Sequence, residues 1–131
     1  MKYGDILFTT SSETPEEVGM SSVWLHTMEN IYLNSFCFGF RPYVNLDPYY
    51  MTFALRAPFF RAKVQLLAQG ISRYNISRTK LMDIKILMPT LTEQAEIGSL
   101  FHNLDNQITT QRQKVEQLKQ LKAAYLQKMF V

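Results

Sequence analysis

Cysteine occurs once, as Cys37, so the chain can close no internal disulfide and is read as a cytoplasmic protein held together by packing. Histidine occurs twice, as His26 and His102, and no His/Cys cluster has zinc-binding spacing. The five glycines are scattered over positions 4, 19, 39, 70 and 98, which excludes a glycine-rich phosphate loop. No apolar run approaches the roughly 20 residues of a membrane helix. The N-terminal "MKYGDILF" has one lysine, an early aspartate and no long apolar core, so it does not read as a signal peptide. What remains is a chain of 131 residues, 47% apolar and 19% charged, enough for one globular domain with an appendage and too apolar for a disordered tail.

The residues of catalysis are also missing. A nucleophile needs an activating base beside it. Cys37 lies between Phe36 and Phe38, the setting of a small core residue, and His102 follows Phe101 within a helical pattern. "NLDPYY" (45–50) is close to the Asp/Asn-Pro-Pro-Tyr/Phe signature of adenine methyltransferases, but Tyr49 replaces the second proline and no cofactor loop accompanies it. Asp47-Pro48 is better read as a helix start. Asp83-x-Lys85 is a fragment of nuclease patterns without the other carboxylates. No enzyme, cofactor or metal site is expected.

Charge is unevenly spread. Residues 1–55 set Lys2 and Arg41 against Asp5, Glu13, Glu16, Glu17, Glu29 and Asp47, a net of −4. Residues 56–85 set Arg56, Arg61, Lys63, Arg73, Arg78, Lys80 and Lys85 against Asp83 alone, a net of +6. Such a segment suits a polyanionic partner, or a solvated face that meets the acidic N-terminal part.

Along the chain, "DILFTT" (5–10), "SSVWL" (21–25) and "NSFCFGFRP" (34–42) read as strands. Phe36, Phe38 and Phe40 fall on one face of the third, and the small Cys37 and Gly39 on the other leave room for a close neighbour. "SSETPEEVGM" (11–20) is a polar turn region. Asp47 caps "PYYMTFALRA", Pro58 restarts a helix as "PFFRAKVQLLAQ", and Gly70 stands where a C-terminal cap belongs. Ser77 is placed to cap "RTKLMD", and "IKILM" (84–88) reads as a buried strand stopped by Pro89. The expected fold class is α/β (α+β): a small mixed-sheet domain over residues 1–89, then a helical segment over 90–131.

That segment opens with the capping-box pattern Thr90-x-x-Glu93 and contains no proline and only Gly98 thereafter. It predicts one helix of about 37 residues, about 55 Å long. Ile97, Phe101, Leu104, Ile108, Gln111, Val115, Leu118, Lys122, Tyr125 and Met129 follow a 4-3-4-3 spacing, a coiled-coil seam with two polar interruptions that can fix register. A compact chain of this size has a radius of gyration of only about 14 Å, so a partner helix is expected on the overhanging seam.

Between the helices lies Gly70-Ile-Ser-Arg-Tyr-Asn-Ile-Ser77. Arginines such as Arg73 and Arg78 can make bidentate contacts to guanine or phosphate, and Asn75 can do the same to adenine. Ser72 and Ser77 can bind phosphate, and Tyr74 can stack. Each also has a structural use: Tyr74 and Ile76 as anchors, Asn75 in a local turn.

"YGDILFTTSS", an apolar strand ending in "RP", "GISRYNISRTKLMDIKILMPTLTEQAEIGSLFHNLDNQI" and a helix ending "LKAAYLQKMF" together resemble the specificity subunit of type I restriction-modification systems over essentially the whole chain. The "P-x-x-x-E-Q-x-x-I…L…LD…I" junction is the most specific part. The resemblance implies a globular target-recognition domain that reads one half of a split site in double-stranded DNA, followed by a spacer helix. It implies docking to the methyltransferase (modification) subunit, and chemistry carried by partner modification and restriction subunits. A complete subunit of this kind has two such units, and its domains carry several dozen residues before "GDILF". This chain is therefore expected to be a partial recognition domain that forms a homodimer through antiparallel helices. The implied DNA-binding residues are Ser11, Ser12, Arg61, Ser72, Arg73, Tyr74, Asn75, Arg78 and Lys80. The implied helix interface is Ile97, Phe101, Leu104, Ile108, Val115, Leu118 and Tyr125. The alternative is a protein-interaction fragment that does not bind DNA and works only through its helix.

Overall fold

The structure, a computed structural model, describes residues 1–130. Its first unit, Met1–Gly98, is built on a three-stranded sheet. The central strand β1 (Ile6–Thr9) pairs with β3 (Ser21–Val23) on one side and β4 (Cys37–Phe40) on the other. A two-residue strand β2 (Ser11–Ser12) leaves this sheet and pairs with β5 (Tyr74–Asn75). The mixed α and β content expected from the sequence is present, and every one of these strand pairings is antiparallel.

Alternation along β1 decides where the core lies. Ile6 and Phe8 are buried, and Phe8 stacks on Phe38 and Phe40 with ring centroids 5.7 and 6.2 Å away. Two short helices cover this face. Asp47 accepts a hydrogen bond from the Tyr50 N–H and so caps α1 (Pro48–Ala54), while Pro58 starts α2 (Pro58–Leu66). They contribute Met51, Phe60 and Val64, with Leu55 just past the end of α1. On the opposite face of β4, a Cβ at Gly39 would lie 2.8 Å from Leu7 Cδ2, the close approach expected of a small residue there. Asp5 is buried at the edge of the sheet and receives both Nε and Nη2 of Arg41, at 2.7 and 2.8 Å. The Arg41 bonds hold its carboxyl below the ordinary carboxylate value.

Three sequence expectations are corrected. "IKILM" forms no strand: Ile84 and Ile86 pack against the core and Leu87 is fully exposed, so alternate burial is met by an extended segment with no ladder partner. Phe36 precedes β4 and its side chain is exposed, so it does not share the buried face of Phe38 and Phe40, although its carbonyl accepts the Thr10 N–H in the register of the ladder. Gly70 does not cap α2, which ends at Leu66. It makes the sharp turn of the loop before β5, with φ +147°, where a Cβ would fall 2.0 Å from the Arg73 carbonyl oxygen.

Ser77 caps α3 (Arg78–Met82), as its position implies. The Thr90/Glu93 capping box then opens α4 (Leu91–Met129): the Thr90 N–H donates to Glu93, whose own N–H donates to Thr90 Oγ1. The first turns of α4 belong to the compact unit Met1–Gly98, and the second unit begins at Ser99. From Ser99 on, every described residue of the helix is exposed except the half-buried His102. No helix among the described residues is long and apolar enough to cross a membrane.

Candidate nucleic-acid interface

The ladder between β2 and β5 joins two polar segments that are far apart in the chain. Ser11 pairs with Asn75 and Ser12 with Tyr74. On its other side Asn75 exchanges both backbone bonds with Gln69, at 2.8 and 2.9 Å, and Ile76 plugs into the core beneath. Arg73 Nε donates to Ser11 Oγ at 3.2 Å across 62 positions of sequence. Directly after the ladder, α3 carries Arg78 and Lys80, both exposed. The Arg78 guanidinium lies 5.9 Å from the Phe38 ring centroid, a cation–π contact that steadies it without occupying its donors. Ser72, Arg73, Asn75, Arg78 and Lys80 are thus exposed together on the ladder and the helix that follows it.

Other residues of the expected set are engaged within the domain. Arg61 is buried. Its Nη1 donates to the Gly19 carbonyl at 2.8 Å and its Nη2 to the Glu16 and Val18 carbonyls at 2.7 and 2.8 Å. Burial pushes this guanidinium below its ordinary value, with Arg56 adding like-charge repulsion. Arg61 is therefore corrected from a DNA-facing residue to an internal strut. Tyr74 is half-buried and packs against the core. Ser12 donates to Glu17 Oε2 at 3.2 Å and accepts the Thr14 N–H, so its hydroxyl serves a local turn.

The basic segment shrinks accordingly. Arg56 gives Nε and Nη2 to the Ser21 carbonyl, and Lys63 leans over the Phe59 ring while donating to the Lys85 carbonyl. Sequence reasoning missed that Arg61 serves the turn at residues 16–19 and Arg56 the start of β3 that follows it. The available signal was the turn itself: a stretch with proline and glycine and no strand partner leaves carbonyls in need of donors. The seam residues Ile97, Phe101, Leu104, Ile108, Val115, Leu118 and Tyr125 all lie on α4 and are all exposed, from 37% at Ile97 to 65% at Leu118.

Residues 2–120 match the family model described as type I restriction modification DNA specificity domain. The MjaX type I restriction enzyme specificity subunit of Methanocaldococcus jannaschii is 29% identical over 138 residues, covering 97% of this chain and 30% of that protein. The StySPI type I restriction enzyme specificity subunit of Salmonella potsdam is 28% identical over 117 residues, covering 89% of this chain and 25% of that protein. The chain spans less than a third of the length of either relative.

Proposed function

Because the chain belongs to the type I restriction modification DNA specificity domain family, we propose that it is a DNA-recognition subunit that reads one half of a split target in double-stranded DNA. In this reading it is a non-catalytic, cytoplasmic component that scaffolds a methyltransferase subunit, and the chemistry resides in partner subunits. The observation that carries the reading is the β2–β5 ladder, which gathers Arg73 and Asn75 beside Arg78 and Lys80 on an exposed basic surface. With Arg61 withdrawn, three exposed cations remain for phosphate and base contacts. The log–log dependence of affinity on salt is then expected to have a slope no steeper than about −3, at about −0.9 per phosphate neutralised, and shallower for each cation spent on a base. Replacing Lys80 by Ala is expected to reduce that slope by about one. Arg73→Ala or Arg78→Ala should weaken binding to a selected duplex by roughly 5- to 150-fold. Duplex binding at several salt concentrations measures all three, and parental affinity in both arginine variants would refute the assignment.

A second reading rests on α4. Its exposed apolar seam supports association of two copies through antiparallel helices, which would supply the second recognition unit of a split site. Leu118→Glu is expected to weaken such a dimer by about 100-fold or more, since each copy forfeits a leucine burial worth roughly 1.5–3 kcal/mol. Sedimentation at micromolar concentration tests this, and a monomeric parent would leave the helix to a different partner, such as the modification subunit.

A further inference from the structure

The register of the ladder says more than that a basic surface exists. In an antiparallel pair, residues i and j lie opposite one another, and the diagonal neighbour j−2 shares their face. Ser11 opposes Asn75, and Arg73, in the bend just before β5, reaches the same serine by donating its Nε–H to Ser11 Oγ. Ser12 and Tyr74 take the other face, and Tyr74 goes to the core. The exposed face of this ribbon therefore presents an arginine and an asparagine two residues apart. These side chains match guanine and adenine respectively by paired hydrogen bonds.

A guanidinium has five N–H donors in a planar fork and can bind a two-acceptor edge through either of two sides. In this structure Nε–H is committed to Ser11 Oγ at 3.2 Å. The side of the fork that includes Nε is thereby taken, which leaves the terminal Nη1/Nη2 edge of this exposed residue for a two-acceptor ligand. That edge fits the O6/N7 acceptors of guanine in the major groove, which is wide enough to admit a two-stranded ribbon.

We infer that the β2–β5 ribbon is the base-reading element, in which Ser11 is a positioning residue that orients Arg73 toward guanine while Asn75 reads an adjacent adenine. Ser11 itself touches no base. The inference rests on the DNA-recognition reading above and extends it to specific bases.

The test is selection by the full chain from a random duplex pool, comparing base preference with salt dependence. The parent is expected to enrich a motif containing a guanine with an adenine nearby. Ser11→Ala should lower the guanine preference by about tenfold, within the 5- to 150-fold span of a lost bidentate contact, while the salt slope stays unchanged. Ser11→Thr keeps the hydroxyl on a strand-compatible side chain and should restore the preference. Asn75→Ala should relax the adenine position alone. A motif without guanine, or an unaltered guanine preference in Ser11→Ala, would overturn the inference and leave DNA recognition standing. Enrichment of no motif, with no measurable duplex affinity, would overturn both.

Discussion

The Arg61→Met variant is expected to lose roughly 3–5 kcal/mol of folding stability, a large share of the 5–15 kcal/mol typical of a domain. Methionine replaces much of the buried stem of Arg61, so packing changes little. What disappears is the pair of terminal nitrogens that hold the carbonyls of Glu16, Val18 and Gly19. Each buried carbonyl left without a partner costs about 1–3 kcal/mol. The Glu16 carbonyl is discounted because its residue is exposed and water can replace the bond. Arg61→Lys should recover only part of the loss, because a single ammonium cannot span three acceptors in the geometry of a planar fork. Urea unfolding followed by circular dichroism measures the effect. Parental stability in Arg61→Met, together with a selective loss of DNA affinity, would return this residue to the DNA surface.

The second large effect is expected at Gly98. Alanine in place of glycine inside a helix ordinarily gains about 1 kcal/mol. Here the gain should reverse. A Cβ at this position would lie 2.6 Å from the Tyr50 backbone nitrogen, 2.7 Å from Asp47 Oδ1 and 3.1 Å from Tyr49 Cβ. The first two are the donor and acceptor of the α1 cap, so the methyl group intrudes on the capping bond itself. Two responses are open. The cap breaks, at about 1 kcal/mol, or the start of α4 lifts away. Lifting would carry off Gln94, which accepts the Asp47 N–H at 3.0 Å and donates to the Pro89 carbonyl at 2.9 Å. Either way a net loss of roughly 2–4 kcal/mol is expected, from overpacking added to broken hydrogen bonds. The exposed neighbour Ser99 provides the control, since Ser99→Ala adds helix propensity without a clash. Thermal unfolding should move in opposite directions for the two variants, and a Gly98→Ala protein as stabilised as Ser99→Ala would show that the contact is dispensable.

These two residues also mark where the sequence could and could not be read. Local chemistry was legible. Thr90 and Glu93 form the capping box, Asp47 caps α1, Pro58 restarts a helix and Ser77 caps α3, because each depends on residues within one turn. The strand read at 5–10 is likewise local, and its alternation is borne out by the burial of Ile6 and Phe8. Long-range pairing was not legible. Ser11 and Ser12 read as a turn, and only the distant Tyr74 and Asn75 make them a strand. Arg61 and Arg73 look alike in a charge count, yet one meets a carbonyl-rich turn inside the domain and the other a serine on its surface. "IKILM" misled because an apolar alternation fixes which face is buried but says nothing about whether a neighbouring strand exists. The candidate site was therefore visible as a list of residues, and its division into exposed side chains and internal struts was not.

The span of the Arg61 bonds bears on how fast the chain can reach and leave its native state. They connect residues 42 to 45 positions apart, and those of Arg56 to Ser21 connect 35. Such contacts reward the chain only after a long loop has closed, whereas the turns of α4 close over four residues. The helix can therefore form early, and the barrier to folding is expected to lie in closing the long loops of the sheet, before the arginine bonds are made. Bonds completed after that barrier act chiefly on escape: they slow unfolding far more than they hasten folding. The two arginines are thus expected to work as a latch, set last and released first, so the lifetime of the fold is governed away from the exposed basic surface.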